Sequence, residues 1–260
     1  MIGATNMNKY EIRQLDFYRN GLKIDGQLFV PELPCCPLLI ISHGFGGNRN
    51  HGVVYAKALA ENGIAVYIFD FIGGGDDIKS DGKMSEMSVL TEAADLNIVI
   101  DGLKKLEMFD SNNIFLSGRS QGGYVSTYVA SQRDDIKAMA LFYPAYVIQD
   151  DVLKRTDNGT CFVPTSTFWD HTVSDLYDRD ALSIDIFASM RKYDGKVLII
   201  HGTADDIVPI SYSYKALETF PHCELVSIEK AGHGFEGEDE KKALQLILQF
   251  IKDNTGYVAD

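Results

Sequence analysis

Cysteine pairs at metal-binding or redox spacing are missing from this chain. Its four cysteines, Cys35, Cys36, Cys161 and Cys223, form no C-x-x-C pair, so neither a zinc site nor a dithiol redox motif is indicated. Reduced thiols in a cytoplasmic protein are expected, with no metal and no other cofactor. Positive charge is also scarce: 24 Lys and Arg stand against 37 Asp and Glu, a net charge of −13. A nucleic-acid surface needs a basic stripe to displace counterions, and an anionic membrane attracts the same kind of stripe. Neither is expected as a partner. No apolar run approaches the ~20 residues of a membrane-spanning helix. The opening stretch MIGATNMNKYEIRQLD has no apolar signal-peptide core. Repeats and low-complexity tracts are lacking as well. What remains is a small-molecule partner, better neutral than acidic, since a carboxylate product would be mildly repelled; a homodimer stays open.

The rest of the composition is ordinary for a globular chain, with 45% apolar and 23% charged residues. At 260 residues it can bury a sizeable core as one large domain. Over 22–30, Leu22, Ile24, Leu28 and Val30 alternate with Lys23, Asp25, Gln27 and Phe29, the period of a strand; residues 10–19 read as a weaker one. Pro31, Pro34 and Pro37 break the chain. Short continuous apolar runs then follow at 38–42 and 64–70, as expected of strands buried on both faces, and further strands read at 113–118, 137–143, 196–202 and 223–229. Helical patterns lie between them at 52–62, 87–106 and 121–132 and near the C-terminus. Two show apolar stripes, Leu96, Val99, Ile100, Leu103 and Leu244, Ile247, Leu248, Ile251. Strands alternating with helices imply a mainly parallel sheet covered on both faces. One stretch breaks the rhythm. Residues 144–180 hold no clean strand or long apolar stripe, but contain two prolines, Gly159, the only tryptophan (Trp169) and many Asp and Tyr residues. A long irregular insertion in a compact domain is usually functional.

Ligands in such a sheet gather beyond the carboxyl ends of the strands. There, Gly118-Arg119-Ser120-Gln121-Gly122 joins a strand to a helix, the context required of a G-x-S-x-G nucleophile elbow. A serine nucleophile needs a base, and the base an orienting acid, in the chain order Ser, Asp or Glu, His. The loop after 196–202 offers Asp205 and Asp206; the loop after 223–229 offers His233. His43 and His201 sit at strand ends before a glycine, where a structural hydrogen-bonding role is expected. Two backbone N–H groups should hold an oxyanion, one from Gln121 after the serine and one from Phe45 in the loop SHGFGGNRN. That loop lacks both G-x-G-x-x-G and a Walker lysine, and GGGDD (73–77) lacks the motif spacing, so nucleotide binding is not expected.

The ordered motifs HGF, FDFxGxG, GxSQGG, HGTxDxxVP and GxGHGF resemble the α/β-hydrolase superfamily, and most of all the bacterial cinnamoyl and feruloyl esterases. The resemblance runs from about Tyr10 to the last helix. It implies a single α/β-hydrolase domain over 1–260, with a mainly parallel eight-stranded sheet and a lid inserted after the sixth strand, about 144–192. It implies Ser120, Asp205 and His233 as the catalytic residues, with Phe45 and Gln121 as the oxyanion hole. Asp205 is favoured over Asp206 because the family acid stands four residues before the proline, here Pro209. One position departs: the residue before the serine is often His in these esterases, and here it is Arg119.

The reaction implied is hydrolysis of carboxylic esters through an acyl-enzyme. Lid aromatics Tyr146, Trp169 and Tyr177, with Asp150 and Asp151, would suit a hydroxycinnamoyl group. Counting on from Pro144, Asp151 matches a lid acid that hydrogen-bonds a phenolic hydroxyl, with Asp150 as its competitor. A thioesterase or small peptidase would keep the same three residues. A non-catalytic hydrolase-like binding protein should have lost one of them.

Overall fold

The computed structural model describes residues 9–255. Half of the opening stretch read above for a signal peptide lies outside the described residues. An antiparallel start is built from β1 (Tyr10–Gln14), β2 (Phe17–Arg19), β3 (Leu22–Ile24) and β4 (Gly26–Pro31). The alternation over 22–30 is therefore two strands, not one. β3 pairs with β2, whereas β4 pairs with β1 and then with the central sheet. The chain divides at Asp25, whose buried carboxylate takes an ion pair from Arg49 and hydrogen bonds from Gln14 and Lys23. Phe29, grouped with the polar partners by alternation, is buried at 1% exposure, because β4 is covered on both sides.

Next come β5 (Cys36–Ser42), α1 (Val53–Glu61), β6 (Ala65–Phe69), α2 (Val89–Lys104), β7 (Phe109–Arg119), α3 (Gln121–Ala130) and β8 (Ala138–Phe142). β11 (Lys196–Gly202), α7 (Ser211–Thr219), β12 (Cys223–Ile228) and α8 (Gly237–Thr255) complete the main layers. Eight strands form one sheet in the order β1-β4-β6-β5-β7-β8-β11-β12. Only the β1–β4 and β4–β6 pairs are antiparallel. The sheet is the expected α/β-hydrolase one.

Alternation along the buried strands feeds two cores. Leu38 and Ile40 of β5 pack with the α2 and α3 residues Leu96, Val99, Tyr124 and Val125. Leu39 and Ile41 pack with Tyr55, Ala56 and Leu59 of α1 and Ala243, Ile247 and Ile251 of α8. Each fully buried isoleucine of that last stripe stabilises the docking of α8 by about 1.5–3 kcal/mol. α2 starts sharply because Ser88 and Thr91 form a reciprocal capping box.

The stretch 144–180 is not the irregular loop its composition suggests, and the insertion runs on to about 192. Between β8 and β11, the sixth and seventh strands of the sheet, it folds as α4 (Ile148–Arg155), a hairpin of β9 (Thr165–Phe168) and β10 (His171–Ser174), α5 (Asp175–Leu182) and α6 (Ile186–Met190). These elements are too short to show a stripe. Only Ile148 and Val152 of α4 are buried, so two core-facing residues in eight had to signal the whole helix. The hairpin turn is made by Trp169 and Asp170, both at positive φ, 47° and 67°, a geometry that a non-glycine dipeptide does not announce.

Candidate active site

The turn from β7 into α3 is where the sequence pattern and the backbone meet. Ser120 sits at φ 51°, ψ −119°, a conformation costly for any residue with a side chain. It is held there from several sides. The Ser120 amide donates to Phe142 O at 3.0 Å, and its carbonyl accepts from the amides of Gly123 and Ala145, each at 3.0 Å. The bracketing glycines are required by space: a Cβ on Gly118 would lie 2.2 Å from Gly122 O. The glycines elsewhere serve backbone contact too. Gly46 and Gly75 form a bridge between the 44–50 and 73–77 loops, and a Cβ on Gly75 would stand 1.9 Å from Gly47 O. The two loops, which lack the phosphate-binding motifs, are glycine-rich because they cross each other.

Asp205 and His233 are brought together at the ends of β11 and β12. Asp205 Oδ2 accepts from His233 Nδ1 at 2.8 Å. The same oxygen lies 3.2 Å from His201 Nε2, while Oδ1 accepts the amides of Ile207 at 3.0 Å and Val208 at 2.8 Å. Burial alone would raise this carboxyl's pKa, but the hydrogen bonds from His201, His233 and Val208 outweigh it and hold the group well below the usual carboxylate range. Asp206 is exposed. His201 is fully buried; Nδ1 meets Ser213 Oγ at 2.7 Å and Nε2 meets Val208 O at 2.9 Å. The carbonyl can only accept, so Nε2 carries the proton and shares it with Asp205. The role expected for His201 is structural; the residue it orients is the acid beside His233. His43 is likewise buried, with Nε2 accepting the Phe71 amide at 3.1 Å and Nδ1 donating to Gly44 O at 2.8 Å.

Two cavities open on either side of Ser120. One, of about 130 Å³, is lined by Phe45, Ser120, Gln121, Asp151, Phe168, Trp169 and Tyr177 among others. The second, of about 280 Å³, is lined by Phe45, Ser120, Arg119, His51, Tyr143 and His233 among others. Ser120 and Phe45 belong to both, His233 only to the second and Gln121 only to the first. Gln121 is the first residue of α3, so its amide has no intrahelical acceptor. The Phe45 side chain packs against the inserted hairpin and α5, with ring centroids 6.4 Å from Phe168, 6.0 Å from Trp169 and, on α5, 5.8 Å from Tyr177.

Of the expected substrate-contacting residues, Asp151 and Trp169 line the first cavity; Trp169 remains 68% exposed. Tyr146 does not reach it. Its ring is buried in the core and its hydroxyl bonds Thr127 Oγ1 at 2.8 Å, because the chain turns inward before α4 begins. Asp150 is drawn away to Tyr212, whose hydroxyl donates to it at 2.6 Å.

Glu92 is a site neighbour that motif reading passes over. It lies four residues before Leu96, on the apolar stripe of α2, and that placement is the signal that could have found it. Its Oε2 accepts from Gln121 Nε2 at 2.9 Å, and Gln121 Oε1 accepts from Tyr177 at 2.6 Å. Oε1 of Glu92 has no partner among the described residues. Burial pushes this carboxyl well above its ordinary range, against the pull of the Gln121 hydrogen bond. A raised folded-state value contributes stability in full below the ordinary carboxyl value, and that stability is lost as pH rises through the folded value. Glu92→Gln keeps an acceptor for Gln121 and cannot ionise. Urea midpoints from about pH 5 to about pH 8 should therefore fall for the native protein relative to Glu92→Gln. A constant difference across that range would contradict the burial argument.

The family model described as serine aminopeptidase, S33, matches residues 35–185. Est1E from Butyrivibrio proteoclasticus, solved with ferulic acid bound, is 29% identical, with TM-score 0.85 over 94% of this chain and 100% of that one. The monoacylglycerol lipase of Paleococcus ferrophilus, at 18% identity and TM-score 0.68 over 94% of this chain and 100% of its own, shares the fold. An uncharacterized 31.7 kDa protein in the traX-finO intergenic region of Escherichia coli is 35% identical over 104 residues, 40% of this chain and 35% of that protein. The match thus spans about a third of that relative's length.

Proposed function

The chain belongs to the serine aminopeptidase S33 family and is a serine hydrolase of the α/β-hydrolase fold, and on that premise we propose that it cleaves carboxylic esters through an acyl-enzyme on Ser120. His233, oriented by Asp205, takes the hydroxyl proton as Oγ attacks the ester carbonyl. The amides of Phe45 and Gln121 hold the resulting oxyanion. His233 then gives its proton to the departing alcohol, and water, deprotonated by the same ring, releases the acid. The observation that carries the reading is the 2.8 Å bond from His233 to a buried Asp205, with His233 and a conformationally strained Ser120 on one cavity. The function of the leaving-group base assigns the cavities. The alcohol departs on the side of His233, and the acyl group occupies the side of Gln121.

The acyl cavity has the walls of an aromatic pocket, in Phe168, Trp169 and Tyr177, and Asp151 as the one carboxylate among its lining residues. The likeness to Est1E, which is solved with ferulic acid, points the same way. We read the acyl group as hydroxycinnamoyl and 144–192 as the lid over it. Asp151 is half exposed, at 49%, and is shared with Lys154 at 3.6 Å, so its gain is modest. A para-hydroxycinnamoyl ester should exceed the plain cinnamoyl ester in kcat/KM by roughly five- to tenfold. Asp151→Ala should erase that ratio while acetyl esters turn over as before. An equal ratio in both proteins would return Asp151 to the surface.

The family description favours a peptidase as the second reading. A matched ester, thioester and anilide of one acyl group separates the three hydrolases. A fluorophosphonate label tests the nucleophile. Ester turnover with labelling lost on Ser120→Ala supports the reading; preferred anilide cleavage favours the peptidase, and no labelling of the native chain would leave a binding protein.

A further inference from the structure

Arg119 lines the cavity that also contains His233, and its charge is unmatched. Among the described residues it forms no ion pair, whereas Arg155 on the acyl side pairs with Asp178. Its Nε donates to Tyr143 Oη at 2.8 Å and its Nη1 to His51 O at 2.9 Å. Two of the five guanidinium donors are thus engaged, which leaves three without a partner among the described residues. The guanidinium carbon lies 5.8 Å from the ring centroids of both Tyr55 and Tyr143, so it is wedged between two faces and cannot swing freely. His51 adds no competing charge: burial and the Arg119 cation both lower its pKa. Glu240 acts on Tyr55 and Tyr143 from α8 but makes no ion pair with Arg119. A fixed, half-satisfied guanidinium beside a reaction centre is a carboxylate receptor in geometry, since its remaining donors form a planar fork.

We infer that Arg119 makes the leaving-group cavity selective for esters whose alcohol carries a carboxylate. The inference rests on the ester-hydrolase reading above. Because the whole chain is acidic, at −13, its long-range field does not draw such a substrate in. Recognition is a short-range contact, and it holds the alcohol on the His233 side, where the proton must be delivered. The bond broken is the ordinary acyl–oxygen bond: the alkoxide takes its proton from His233, and the carboxylate stays ionised throughout.

The test compares para-acetoxybenzoate with para-acetoxybenzamide, which share an acyl group and differ in the charge of the leaving phenol. Their kcat/KM ratio is measured in the native protein, Arg119→Gln and Arg119→Lys, so that intrinsic reactivity cancels. The ratio should fall roughly tenfold in Arg119→Gln and be partly retained in Arg119→Lys. Product inhibition of the native protein gives an independent reading: para-hydroxybenzoate should inhibit better than para-hydroxybenzamide. An unchanged ratio in Arg119→Gln, or equal inhibition by the two phenols, overturns the inference and leaves ester hydrolysis standing. A purely structural Arg119 would lower both substrates together and leave the ratio alone, which also overturns it. Failure of the native protein to hydrolyse either ester would instead remove the reading on which the inference rests.

Discussion

Ser120→Ala should yield a folded protein whose ester turnover is lower by about 10⁴-fold or more. The substitution is nearly free for the fold. Alanine meets the same strain as serine at φ 51°, and the backbone contacts that hold the turn, to Phe142, Gly123 and Ala145, do not use the side chain. Activity should depend on it wholly, since among the described residues no other hydroxyl shares the cavity with His233 except that of Tyr143, which accepts from Arg119. His233→Ala should cost nearly as much. The double variant should lose little more, because members of such a unit fail together. Circular dichroism establishes the fold and an activated aryl ester the rate. Substantial turnover by folded Ser120→Ala would remove the nucleophile assignment.

The sheet was legible from sequence because a strand buried on both faces must be a continuous apolar run. The run at 38–42 is β5, whose seven residues are all buried. The elbow was legible for a similar reason: the turn at Ser120 tolerates no Cβ at Gly118, so the chemistry prints glycine at a fixed offset. What faces solvent or a cleft prints less. α4 buries two residues of eight, and the hairpin turn at Trp169 and Asp170 uses positive φ without glycine. Sequence alone could not separate Asp150 from Asp151, because the hydroxyl that engages Asp150 belongs to Tyr212, 62 residues away. Tyr146 misled in the opposite way. An aromatic residue in a polar segment looks like a pocket wall, yet its ring completes the core and its hydroxyl is satisfied by Thr127. Glu92 was written plainly on the α2 stripe, where a carboxylate has no place unless it is held neutral or bonded.

Asp205→Asn is the second large effect, and its direction follows from which oxygen does what. Oδ1 accepts two backbone amides, from Ile207 and Val208, so an asparagine must keep its carbonyl there. Its amide nitrogen is then forced into the place of Oδ2, facing His233 Nδ1 and His201 Nε2. A donor now faces the donor nitrogen of each ring. His233 can relieve the clash only by moving its proton to Nε2, the nitrogen that must be unprotonated to take the proton of Ser120. The expected loss in kcat is on the order of 10⁴-fold, with KM little changed, because neither cavity loses a wall. Stability should fall as well, since His201 donates its Nε2 proton to Val208 and cannot yield it. Asp206→Asn is the matched control. That side chain is exposed and has no part in the network, so kcat should stay within about twofold of the native value. Steady-state kinetics on one aryl ester decide between them. A mild Asp205→Asn beside a crippled Asp206→Asn would mean that the acid reaches His233 from the neighbouring position, and that the amide bonds to Ile207 and Val208 merely shape a turn.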